Sequence, residues 1–263
     1  MGAANLRNAS AVFAEMQSPE YAGYRPVGGL FAGPTDIRPL YQSVNSIAVY
    51  DARLLTPVAS LFKLATVKFE GAQGFAPAAF FMSATGLLSE IYMRPTGSTV
   101  TFEYSDIVLD PFSNQTSSAF LAQLNSLGSN GYCELRMGDD TTATVVRMAG
   151  TTSQCRYEVV KPGPGGLQVY IDELNAQGAR GFIPFLEFPL DNEGAKRIYV
   201  KNLSRSQAFG YYKLPDVPLP ADASMLARHN EEGAKGASIY NITFGGANVT
   251  LYRVATECSS LLC

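Results

Sequence analysis

Apolar positions along this chain follow two rhythms, and the change from one to the other recurs. A strand-like run, a helix with apolar residues three and four apart, and two further strand-like runs succeed one another four times. The first round predicts a strand over 46–55, a helix opened by Thr56 and Pro57, and strands over 78–83 and 87–94. Thr serves there as N-cap, and Pro occupies the first helical position, where its missing N–H costs nothing. The second round predicts a strand over 99–109, a helix over 117–127, and strands over 133–137 and 142–148. The third gives 154–160, 167–177, 183–188 and 197–201. The fourth gives 207–214, 222–232, 238–244 and 248–254.

A short phrase closes each helix: Gly71-Ala-Gln-Gly74-Phe75, Gly128-Ser-Asn-Gly131-Tyr132, Gly178-Ala-Arg-Gly181-Phe182 and Gly233-Ala-Lys-Gly236-Ala237. The first glycines stand 57, 50 and 55 positions apart, a period that marks a repeat architecture. Seven positions before them stand Leu64, Leu121, Ile171 and Leu226; four before stand Val67, Leu124, Leu174 and His229. These two positions share one helical face. Three before stand Lys68, Asn125, Asn175 and Asn230, and the recurring Asn predicts a helix-end backbone hydrogen bond. The third strands also align, as Ile91-Tyr92, Val145-Val146, Ile198-Tyr199 and Leu251-Tyr252.

The expected fold is therefore α+β: four tandem βαββ repeats forming continuous antiparallel sheets with helices on one face, in a pseudo-symmetric arrangement. The repeats span 46–97, 98–150, 151–204 and 205–263. Residues 1–45 do not match them and are rich in turn formers, as in Tyr24-Arg-Pro-Val-Gly-Gly-Leu-Phe-Ala-Gly-Pro34. They predict an extended arm with a short helix near 11–16, which packs on its own domain or reaches a neighbouring subunit. One βαββ unit of this size buries little apolar surface, and its sheet edge invites pairing.

Leu124-Asn125-Ser-Leu-Gly128-Ser-Asn-Gly131-Tyr132 and Leu174-Asn175-Ala-Gln-Gly178-Ala-Arg-Gly181-Phe182 resemble a family of small bacterial domains of unknown function. Those domains carry a Leu-Asn-x-x-Gly-x-x-Gly-Trp helix end between strands. Tyr, Phe or Ala stands here where the family has Trp. The resemblance covers one repeat at a time and implies a strand–helix–strand–strand unit; it implies no active site.

Composition narrows the function classes. Charged residues make up 16% and the net charge is −3, so there is no electrostatic footprint for nucleic acid. No apolar stretch approaches the length of a membrane span. Residues 1–12 show no apolar signal core, and Met1-Gly2-Ala-Ala-Asn-Leu6 lacks the Ser or Thr of a myristoylation signal. Five Asn-x-Ser/Thr sequons, at Asn8, Asn114, Asn202, Asn241 and Asn248, fit a secreted eukaryotic protein or a surface rich in Asn, Ser and Thr. Cys133, Cys155, Cys258 and Cys263 lack zinc-site spacing. Cys133 and Cys155 are expected on neighbouring strands of the second repeat. Two local disulfides, Cys133–Cys155 and Cys258–Cys263, suit an oxidising compartment; four thiols suit a reducing one.

Candidate chemistry is sparse. His229 is the only histidine and takes an otherwise apolar slot. It reads as a helix-end residue near the helix dipole, or as a general base. No Gly-x-Ser-x-Gly elbow supplies it with a nucleophile. Arg94, Arg147, Lys201 and Arg253 fall near the ends of the third strands and would face one anion if the repeats closed around an axis. Gly163-Pro-Gly-Gly166 lacks the Gly-Lys-Ser/Thr ending of a phosphate loop and reads as a turn into a helix. Asp139-Asp140 and Asp191-Asn192-Glu193 lack EF-hand spacing and read as turns. No metal site and no cofactor is expected. The sequence favours a non-enzymatic, self-associating or surface-assembly subunit, extracytoplasmic, with contacts through the N-terminal arm and sheet edges. A module binding a glycan or small anion in a cleft between repeats is the alternative, followed by a hydrolase-type enzyme with His229 as first suspect.

Overall fold

A computed structural model describes residues 8–31, 37–43, 50–55, 60–82, 88–108, 116–137, 142–189, 195–215 and 223–256. The chain is mixed α+β. It opens with helix α1 (Ala9–Met16), a 3-10 turn (Pro19–Tyr21) and strands β1 (Tyr24–Phe31) and β2 (Ile37–Ser43). Then come β3 (Tyr50–Leu55), α2 (Ser60–Ala72), β4 (Ala76–Met82) and β5 (Leu88–Pro95). The next segment holds β6 (Phe102–Val108), α3 (Ser117–Ser129), β7 (Glu134–Met137) and β8 (Thr142–Met148). The third holds β9 (Cys155–Val160), α4 (Leu167–Ala179), β10 (Ile183–Pro189) and β11 (Ala195–Asn202). The last holds β12 (Ala208–Tyr212), α5 (Ala223–Ala234), β13 (Ala237–Phe244) and β14 (Ala247–Thr256).

Among the described residues the strands form one two-stranded and four three-stranded sheets. β1 and β2 form an antiparallel hairpin. The three-stranded sheets run β3-β5-β4, β6-β8-β7, β10-β11-β9 and β12-β14-β13, so the third strand of each segment sits in the middle. Continuous sheets were expected; these are separate. The chain divides into two compact units, residues 1–104 with 217–226, and residues 105–216 with 227–263.

In the first unit α1 begins at Asn8, whose side-chain oxygen accepts from the Ala11 N–H at 3.0 Å. Val12 is fully buried against Ile91 of β5, with Ala52, Leu54 and Met93 packed around the pair. The short helix expected near 11–16 is α1, and the β1–β2 hairpin follows it where an extended arm was expected. Val12, Phe13 and Met16 share a helical face, and burying that face on β3 and β5 outweighs the turn-forming composition.

Among the described residues the second unit holds two apolar cores. One gathers Phe120 and Leu124 of α3 with Ile107, Val145, Tyr157, Ile198 and Val200. The other gathers Tyr170, Ile171 and Leu174 of α4 with Tyr199, Tyr211 and Leu251. Ile198, Tyr199 and Val200 are consecutive on β11 and all buried. Successive strand residues point to opposite faces. Ile198 and Val200 therefore face α3 while Tyr199 faces α4, and this sheet carries a helix on each face. The expectation of helices on one face fails here, because β11 is apolar on both.

Each helix-closing phrase ends its helix through the second glycine. Gly131 and Gly181 take left-handed conformations, φ 88° and 84°, closed to most side chains. The next N–H returns to the helix: Tyr132 N to Leu127 O at 3.2 Å, Phe182 N to Gln177 O at 3.0 Å. The helices read over 117–127 and 167–177 are α3 and α4. The helix start at Thr56-Pro57 and the turns at Asp139-Asp140 and 191–194 lie outside the described residues, as do Asn114, Cys258 and Cys263.

Candidate functional site

The helix ends are where sequence, packing and charge converge. The first glycine of the phrase is a notch for the strand that opens the following segment. A Cβ on Gly71 would stand 2.7 Å from the Phe102 carbonyl oxygen of β6. On Gly128 it would overlap the carbonyl oxygen of Cys155 in β9, and on Gly178 that of Phe209 in β12. The second glycine repeats the arrangement two residues earlier on the strand side. Val100, Ser153 and Gln207 carbonyl oxygens lie 2.5, 3.0 and 2.7 Å from the Cβ positions of Gly74, Gly131 and Gly181.

The recurring Asn completes the grip. Asn125 Oδ1 accepts from the Tyr157 N–H at 2.8 Å, and its Nδ2 donates to the Tyr157 carbonyl at 3.3 Å. Asn175 holds Tyr211 the same way, at 2.7 and 3.0 Å. Each Asn thus satisfies both backbone groups of one residue on the next segment's first strand. The expected backbone bond is present, but it crosses between segments rather than closing the helix. Asn175→Ala leaves both Tyr211 groups without that partner and should cost about 1–3 kcal/mol in chemical unfolding. Asn230 is exposed, and Asn230→Ala should fall within about 0.5 kcal/mol of the parent.

The four cations named from sequence divide three to one. Arg94 donates to the Gln73 carbonyl at 3.0 Å, Arg147 to the Asn130 carbonyl at 2.6 Å and Lys201 to the Arg180 carbonyl at 2.7 Å. All three acceptors stand just before the second glycine, at the negative end of a helix dipole. The same cations lie over the aromatic ring that follows: Arg94 on Phe75 at 4.6 Å, Arg147 on Tyr132 at 4.9 Å and Lys201 on Phe182 at 5.9 Å. Arg253 lies 5.6 Å over Phe209 instead, as Ala237 offers no ring. Arg94 also pairs with Asp51 at 2.6 Å. Its hydrogen bonds, with that from Thr96, hold the Asp51 carboxyl below its ordinary range. These cations support helix ends in the structure described.

His229 is 8% exposed, with Nδ1 2.8 Å from the Tyr252 hydroxyl. Burial first, and the Arg228 charge second, push its pKa below the ordinary 6.5. The neutral ring is therefore the folded form. The unfolded chain takes up the proton first as pH falls, so this contribution is full above 6.5 and declines as pH drops below it. His229→Leu should remove that part of the pH dependence, checked by urea midpoints across the range. Beside it, Tyr212 donates to Glu232 and stacks 5.6 Å from Tyr252.

Sequence reasoning missed a cluster on α4. Arg197, 12% exposed, bonds Glu173 at 2.8 Å and Glu187 at 2.9 Å and lies 4.0 Å over Tyr170; Tyr199 donates to Glu173 at 2.7 Å. No local spacing announces it. Cys133 and Cys155 form a disulfide. Cys155 opens β9, so the bridge joins the second segment to the third rather than two strands of one repeat. Among the described residues no group of three His, Cys, Asp or Glu could hold a metal. No described helix is long and apolar enough to cross a membrane. A cleft of about 550 Å³ in the first unit is lined by Met16, Tyr21, Tyr24, Tyr50, Asp51 and Met93, among others. No protein-family model, curated protein or solved structure matches the chain.

Proposed function

We propose that this chain is a non-enzymatic assembly subunit, built as four tandem βαββ repeats with pseudo-symmetry and acting by self-association in an extracytoplasmic setting. One observation carries the reading. The two outer strands of each three-stranded sheet have no hydrogen-bonded strand neighbour beyond the central one, among the described residues. Such edges are templates for strand addition. Low charge supports it, since 16% charged residues leave few edge-blocking side chains. The repeated glycine phrase and the shared strand order support duplication, with repeats at 46–97, 98–150, 151–204 and 205–263 and segment 1–45 ahead of them. The likeness of the two best-preserved helix ends to small bacterial βαββ domains belongs to the same reading. The Cys133–Cys155 bridge supports an oxidising compartment.

Hydrogen exchange across a dilution series tests the edges. Protection of the edge strand β13 should rise with protein concentration, while that of β14, already central, and of β12, whose Tyr211 backbone is held by Asn175, stays constant. Equal protection at all concentrations would remove the reading. A second reading, a glycan- or small-ligand-binding module, is favoured by the tyrosine-lined cleft in the first unit, where Tyr24 is 41% exposed. Saturation-transfer NMR with oligosaccharides addresses it.

A further inference from the structure

One cross-strand position carries opposite charge patterns in the first and third segments. Asp51, second residue of β3, stands directly opposite Arg94 on β5 and pairs with it at 2.6 Å. The second residue of β9 is Arg156, and it stands directly opposite Lys201 on β11. Opposed residues of an antiparallel pair share a face, and like charges there are destabilising. A third cation joins these two from the end of α4. Arg180 is fixed there by Glu158 at 2.8 Å and by Gln177 at 3.0 Å. Glu158 also reaches Arg156, at 3.4 Å, so one carboxylate serves three cations. A local arrangement that costs stability is a mark of a functional site.

These four charged groups line a depression of about 370 Å³ together with Phe182 and Leu203. That volume falls in the range of small-molecule pockets. The side chains of Arg156 and Arg180 are both more than half exposed, which leaves their planar forks open to a carboxylate, sulfate or phosphate. The end of a helix would ordinarily repel an anion. Here Lys201 donates to the Arg180 carbonyl at 2.7 Å and sets a positive charge on that negative end. Phe182 lies beneath Arg180 and Lys201, 4.9 and 5.9 Å from its ring, and so orients them. Leu203 is exposed and supplies an apolar wall.

We propose that this depression binds a small organic oxyanion, its charged group between the Arg156 and Arg180 guanidiniums and its apolar part on Leu203. The lining residues all belong to the second unit. The site goes beyond the assembly reading and does not depend on it.

Amide NMR of the full chain tests this. Phenyl phosphate, phenyl sulfate and benzoate are titrated in at low salt, with phenol and inorganic phosphate as the separate halves of the first probe. Saturable shifts should gather at Arg156, Arg180, Lys201 and Leu203 and weaken as salt is added, and the tightest of the three probes names the oxyanion. Arg156→Asp restores the charge order of Asp51 and Arg94, so its urea midpoint should not fall, while affinity should drop at least about tenfold. Arg156→Gln, which only removes the charge, should lose affinity in the same direction. Absence of saturable shifts at these residues with all three probes, or unchanged affinity in both variants, would overturn the proposal. So would a lower midpoint in Arg156→Asp, or phenol or inorganic phosphate binding as tightly as phenyl phosphate.

Discussion

Gly178→Ala should destabilise the protein by about 2–3 kcal/mol, although alanine is the better helix former. In an open helix this change gains about 1 kcal/mol. Here the new methyl would overlap the Phe209 carbonyl oxygen, also crowding the Phe209 carbonyl carbon at 3.0 Å. That carbonyl has little freedom to retreat. β12 is paired with β14 along its length, and Asn175 holds the adjacent Tyr211 by two hydrogen bonds. Gly128→Ala should behave alike, because Cys155 is fixed both by its strand and by its disulfide. Gly233→Ala is the internal control. The same chemical change at the same place in the phrase meets no described atom, so it should cost nothing. Urea unfolding of the three variants checks this. Equal effects at 178 and 233 would mean that the glycines serve only to end helices.

Replacing both Cys133 and Cys155 by alanine should cost about 3 kcal/mol. The bridge closes a loop spanning 22 positions, and the denatured chain regains that loop's freedom when it is cut. Cys155 is also 4% exposed in the core around α3, so the change removes packing as well as the link. Reducing agent should lower the urea midpoint of the parent and leave that of the double variant unmoved. A parent indifferent to reductant would show that the bridge does not form in solution.

The helix ends were legible because their marks are local. A left-handed glycine, an apolar pair on one face and an aromatic beginning the next strand all fall within a dozen residues. What the glycines and asparagines hold was not legible. Asn125 and Tyr157 are 32 positions apart, and only the packing of α3 on β9 brings them together. The burial of β11 on both faces was present as Ile198-Tyr199-Val200, a continuous apolar run. Lys196, Arg197 and Lys201 flank that run, so the local pattern of charge gives no sign that both faces are covered. Arg197 instead is drawn in by Glu187, its partner across the β10–β11 pair, and by Glu173, which the crossing of α4 brings there. The cations at 94, 147 and 201 were found by strand alignment, which gives a position but not a direction. Each of them turns to its own helix end.

Self-association is the central claim, and unreduced native mass spectrometry of the intact chain tests it most directly. A discrete or open-ended series of multiples of the 28.3 kDa chain, with the Cys133–Cys155 bridge intact, is the predicted result. A bare monomer at every concentration would contradict it.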